Sequence, residues 1–144
     1  MGFPDRIERT VELAHPREKV WAALTTAEGL GSWFGDAAEI DLRPGGAGSM
    51  RWTTEGFAVR MRVERVEPPT VFGYTWDIFG LPEEDPRRTY VEFTLEPVAA
   101  GTRLTVVESG FAQLPDEIYR KAFDGNTEGW GKELGELAAY LDGS

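Results

Sequence analysis

Polar and apolar residues alternate over residues 7–14, where Ile7, Arg9, Val11 and Leu13 share one phase and Glu8, Thr10 and Glu12 the other, the period of a strand with one buried face. Pro16 suits the first turn of a helix, with Glu18 favourable near its N-terminus and Val20, Trp21 and Leu24 as its apolar side. Thr26 can cap a second short helix running to Trp33 and Phe34. From residue 36 the pattern becomes alternating runs broken by Gly and Pro: Ala37 to Leu42, Gly48 to Thr53, Phe57 to Val63, Val71 to Asp77, Tyr90 to Glu96 and Thr102 to Phe111. With the first, these predict seven strands. Residues 79–88, with Pro82, Pro86 and an acidic run, read as a solvated loop that could also lie over a cavity mouth. Beyond Pro115, Trp130, Leu134, Leu137 and Leu141 recur at helical steps and predict a long terminal helix. Gly125, Gly129 and Gly131 interrupt its first half, which implies a tolerated bend or a close approach.

Composition narrows the function. The 144 residues hold 25 acids against 15 basic residues, a net charge of −10, which repels phosphate backbones and makes nucleic acid a poor partner. The absence of cysteine excludes disulfides, thiolate nucleophiles and cysteine metal sites. His15 is the only histidine, so no two-histidine metal site is available, and its place before Pro16 suits capping better than catalysis. No metal and no cofactor are expected. No run reaches the length of a membrane span and no secretory signal is evident, so a cytoplasmic single domain over 1–144, monomer or homodimer, is the expectation.

The order of elements resembles the helix-grip fold, and residues carry the resemblance further: His15-Pro16-Arg17-Glu18-Lys19-Val20-Trp21, Trp33-Phe34, Arg43-Pro44-Gly45-Gly46, Val66-Glu67-Pro68-Pro69, Tyr74-Thr75-Trp76, Ser109-Gly110-Phe111 and Gly129-Trp130. The chain is similar to the domains related to the activator of the heat-shock protein 90 ATPase, within the START-like and polyketide-cyclase superfamily. The resemblance implies an α+β fold in which a curved seven-stranded antiparallel sheet wraps a long C-terminal helix, two short helices follow strand 1, and a cavity between sheet and helix takes an apolar ligand. It implies a fold more firmly than a function, because one scaffold hosts many roles.

The expected role is binding of a small hydrophobic molecule in that cavity. A polyketide-cyclase or dehydratase-like enzyme using a cavity carboxylate, and a chaperone-regulating interaction module, are the alternatives. Arg9 and Glu108 fall on the apolar phases of the first and last strands, which predicts that both point inward and pair. The pair would anchor a ligand together with Tyr74, or serve only structure, with Arg9 escaping at the sheet edge. Trp33, Phe34, Trp52, Met61, Phe72, Tyr74, Trp76, Phe79, Phe93 and Phe123 are the candidate apolar walls. Packing alone explains Trp21 and Trp130, on helical stripes.

Overall fold

The computed structural model describes residues 5–78, 81–82 and 84–143. Strand β1 (Arg6–Leu13) leads to helices α1 (Arg17–Thr25) and α2 (Ala27–Trp33). Strands β2 (Ala37–Ile40), β3 (Ala47–Trp52), β4 (Phe57–Glu67), β5 (Val71–Asp77), β6 (Arg88–Val98) and β7 (Gly101–Ser109) follow. One turn of 3-10 helix (Phe111–Gln113) then precedes helix α3 (Asp116–Asp142). All strand pairs are antiparallel, in the order β1-β7-β6-β5-β4-β3-β2. This is the α+β helix-grip arrangement.

Alternation decides which face is buried. On β6, Thr89, Val91, Phe93 and Leu95 are buried, and on β7 Thr102, Leu104, Val106 and Glu108, while the residues between them are half-exposed. These inward rows meet Trp130, Leu134, Leu137 and Leu141 of α3 in one core. The terminal helix runs unbroken for 27 residues through its glycines, so tertiary packing offsets their helix-interior cost of roughly 0.5–1 kcal/mol each.

The α1–α2 corner fixes an aromatic residue over the sheet. Thr26 caps α2 by accepting from the Gly29 amide at 2.9 Å, and Gly29 lies so close to α1 that a Cβ there would stand 2.6 Å from the Ala23 carbonyl oxygen. The Trp33 indole N–H donates to that same oxygen at 2.7 Å. Trp33 is thereby held rigidly, and Phe34 stacks against it with ring centroids 4.7 Å apart.

The predicted pairing of Arg9 with Glu108 does not form. Arg9 lies opposite Val106, whereas Ile7 is the residue opposite Glu108. Because β1 is the sheet's edge, Arg9 stays exposed, and its guanidinium turns back to donate to the Glu8 carbonyl at 3.1 Å. An edge position lets a long basic side chain reach water from an inward phase.

Candidate functional site

Above the packed half of the core, a cleft of about 760 Å³ opens between the β3–β4 hairpin, the ends of β5 and β6, the segment around Leu81 and Pro82, and the first half of α3. Its aromatic walls are Phe34, Trp52, Phe57, Trp76 and Trp130. Phe34 meets Trp52, Trp76 and Trp130 edge-on at 5.5, 5.6 and 5.4 Å, and Trp76 stacks on Trp130 at 5.6 Å. Phe57 stacks on Trp52 at 4.9 Å and is 41% exposed at the hairpin tip.

Helix α3 lines the other side with Lys121, Asn126, Trp130, Lys132 and Glu133, and between these side chains its backbone is bare at two positions. Gly125 and Gly129, one turn apart, both line the cleft, and a Cβ built on either meets nothing within 4 Å. The sequence pattern predicts a bend or a close approach at these glycines; no close approach is made at either, and the backbone borders open space.

Glu108 lies beneath the floor, fully buried. The Trp76 indole donates to it at 2.8 Å, the Trp130 indole at 2.9 Å, and Asn126 Nδ2 reaches both oxygens at 2.9 Å. The Thr89 hydroxyl donates as well. With its acceptor capacity used by four side chains, Glu108 fixes the ring planes of Trp76 and Trp130 rather than offering an oxygen to the cleft.

The carboxyl group that does line the cleft is Glu133. Burial, a hydrogen bond to Glu136 and the charge of Glu136 push it up to about 9, against opposing pulls from Lys132 and the Trp52 hydrogen bond. Burial and the neighbouring Glu136 thus favour its protonated form. On the rim, Asp77 binds two guanidinium groups: Arg60 at 3.0 Å and Arg88 at 3.1 Å. Although burial opposes it, the hydrogen bonds from Arg60 and the charges of both arginines hold Asp77 below the usual carboxylate range.

The remaining candidates separate by depth. Phe34, Trp52 and Trp76 line the cleft, and Met61, Phe72, Tyr74 and Phe93 are buried in the core beneath it. The Tyr74 hydroxyl is buried without a hydrogen-bond partner, and burial followed by the charges of Glu108 and Glu133 pushes it well above its ordinary value. Trp33 is occupied in the α1–α2 corner. Phe123 packs on Phe111 and Tyr119 at 5.3 Å each, outside the cleft lining. Phe79 lies outside the described residues. Sequence reasoning missed Glu133 and Asn126, yet a signal existed for Glu133: it stands three residues after Trp130 and four before Leu137, an acid on the apolar stripe. Among the described residues, no cluster of three or more His, Cys, Asp or Glu is placed to hold a metal ion, and no helix is long and apolar enough to cross a membrane.

Solved structures place this architecture among known proteins. Protein MLL2253 from Mesorhizobium loti is 28% identical with a TM-score of 0.82, the match covering 96% of this chain and 98% of that one. Protein BH1534 from Bacillus halodurans is 26% identical with a TM-score of 0.75, covering 96% and 97%. DynU16, described as a protein in the dynemicin biosynthetic locus, is 25% identical with a TM-score of 0.80, and the match spans 97% of this chain but 48% of DynU16. No curated protein matches the chain. The family described as Activator of Hsp90 ATPase homolog 1-like protein matches residues 14–142, nearly the whole helix-grip unit just described, and the chain belongs to that family.

Proposed function

We propose that the protein binds a small hydrophobic molecule in the cleft between the sheet and the first half of α3. The observation that carries this reading is a cleft in which Phe34, Trp52, Phe57 and Trp76 face helix α3, which adds Trp130 and is bare at Gly125 and Gly129. A volume of about 760 Å³ falls within the range of drug-sized ligand sites. Among the described residues, Leu42 and Phe57 are the exposed large hydrophobics, and Phe57 belongs to the cleft. That distribution favours a ligand site over the broad apolar face of a chaperone-regulating module.

One observation favours a second reading, a cyclase or dehydratase-like enzyme, and it moves the chemistry to another residue. Glu108 is enclosed by its four donors, whereas Glu133 reaches the cleft with a carboxyl group pushed up to about 9. Glu133 is thus the group able to give a proton to a bound carbonyl or leaving oxygen.

Native mass spectrometry of freshly purified protein, followed by denaturing extraction, tests the binding reading. A co-purifying apolar molecule supports it. An empty protein that also fails to take up the neutral fluorophore N-phenylnaphthylamine contradicts it.

A further inference from the structure

The floor of the cleft uses its polar groups unevenly. Glu108 takes four side-chain donors, among them the Trp76 and Trp130 indoles. The Tyr74 hydroxyl, by contrast, belongs to a fully buried side chain and is, among the described residues, the buried side-chain polar atom left with no hydrogen-bond partner. An unpaired buried hydroxyl costs folding free energy that a phenylalanine ring in the same place would not, so packing alone does not account for a tyrosine here. Its position ties it to the cleft. Tyr74 and Trp76 are neighbours on the inward row of β5, their rings meet edge-on at 5.5 Å, and Trp76 lines the cleft. After burial, the influences on the hydroxyl are the charges of Glu108, beneath the floor, and of Glu133, on the cleft lining. The Trp76 indole is anchored toward β6 and β7, donating to Thr89 at 3.0 Å and to Glu108 at 2.8 Å. On its β4 side the residue opposite is Met61, whose unbranched side chain adapts readily to a changed neighbour.

We propose that the Tyr74 hydroxyl is the inner specificity determinant of the cleft, donating to an uncharged acceptor oxygen, of a carbonyl or an ether, at the leading end of an apolar ligand that enters between Trp76 and Met61. This rests on the ligand-cleft reading and deepens it by naming the polar group the ligand carries and the side chain that recognises it. Burial and the two carboxyl charges hold the hydroxyl well above its ordinary range, so it keeps its proton and acts as a donor. The same charges disfavour a carboxylate, sulfonate or phenolate at this depth, where a second negative charge would be neither solvated nor paired. A neutral oxygen meets no such penalty. A donor left unpaired until the ligand arrives discriminates against analogues that lack the acceptor, because they leave it unpaired in the complex as well.

Two neutral fluorophores with one ring system test the assignment: prodan, a dimethylaminonaphthalene carrying a propionyl ketone, and dimethylaminonaphthalene without it. Tyr74→Phe should weaken prodan by about fivefold, the scale of one neutral hydrogen bond, and leave the compound without a ketone within about twofold. The emission of bound prodan should move to shorter wavelength in the variant, as its carbonyl loses a donor. The unfolding midpoint of Tyr74→Phe should not fall below that of the wild type, because the change removes an unpaired group. A variant that binds prodan as tightly and with the same emission as the wild type, or that weakens both compounds alike, overturns the role of Tyr74 and leaves the apolar cleft standing. A lowered midpoint shows a hydroxyl that already has a partner and overturns the assignment too. Failure of both compounds to bind the wild type overturns the cleft reading itself, and the assignment of Tyr74 with it.

Discussion

The two halves of α3 face the same sheet and do opposite things. In the C-terminal half, Leu134, Leu137 and Leu141 are buried in the same apolar core as Val20, Leu24, Phe72, Leu95 and Leu104. In the N-terminal half the corresponding turns carry Gly125, Asn126 and Gly129, and space is left between helix and sheet. The difference is one of side-chain volume on a continuous backbone. Where leucines fill the gap the helix contributes stability, and where glycines leave it unfilled the helix gives up propensity and gains a wall that a ligand can approach.

The sharpest way to break this comparison is Leu137→Ala. Leu137 is fully buried, so its truncation should cost about 2–5 kcal/mol in denaturant unfolding while leaving fluorophore affinity in the other half within about twofold. A matching loss of affinity would mean that the halves are not separable.

Glu133 sharpens the site side. Its carboxyl is raised from 4.5 to about 9 in the folded protein, so folding favours the protonated form. That contribution is complete below the ordinary carboxylate range and is lost as pH rises through about 9. Glu133→Gln, which stays neutral, should therefore match the wild type near pH 4 and gain on it progressively up to about pH 9, by on the order of 1–3 kcal/mol after discounting for solvent screening of this partly exposed group. Parallel unfolding curves at all pH values would contradict the account of Glu133.

Two smaller effects follow. Tyr74→Phe removes a buried hydroxyl that lacks a partner and should stabilise the fold by about 1 kcal/mol. A loss of stability would show that the hydroxyl is satisfied after all. Gly129→Ala should raise helix stability by about 0.5–1 kcal/mol, because the new Cβ meets nothing, while weakening the bound fluorophore. Stability gained with no change in binding would remove the glycine wall from the site.

How much of this was legible in the sequence depended on what each residue's position reports. Period-two alternation located the strands, and β5 (Val71–Asp77) was bounded correctly because Pro68-Pro69 and the polar loop punctuate both ends. Inward phase correctly gave the burial of Glu108 but failed for Arg9, since phase carries no information on whether a strand lies at an edge. The tryptophan floor was only partly legible. Trp76 and Phe34 were expected walls, but Trp130 sat on a helical stripe and read as packing, although it both packs and lines the cleft. Asn126 carried no signal at all, because its role is a hydrogen bond to a strand 18 residues earlier. Glycines announced that α3 was unusual without saying whether they meant contact or space, a distinction that only the position of the facing sheet decides.

The central claim, that the bare half of α3 and the tryptophan floor form one binding surface, is tested most directly by a nitrogen–proton correlation spectrum titrated with N-phenylnaphthylamine. The account predicts shifts at the Trp52, Trp76 and Trp130 indoles and the Gly125 and Gly129 amides, all in the cleft lining. The Trp33 indole, committed to the Ala23 carbonyl, should stay still. Shifts confined to the far end of the molecule, in the groove between His15 and Gly101, would contradict it.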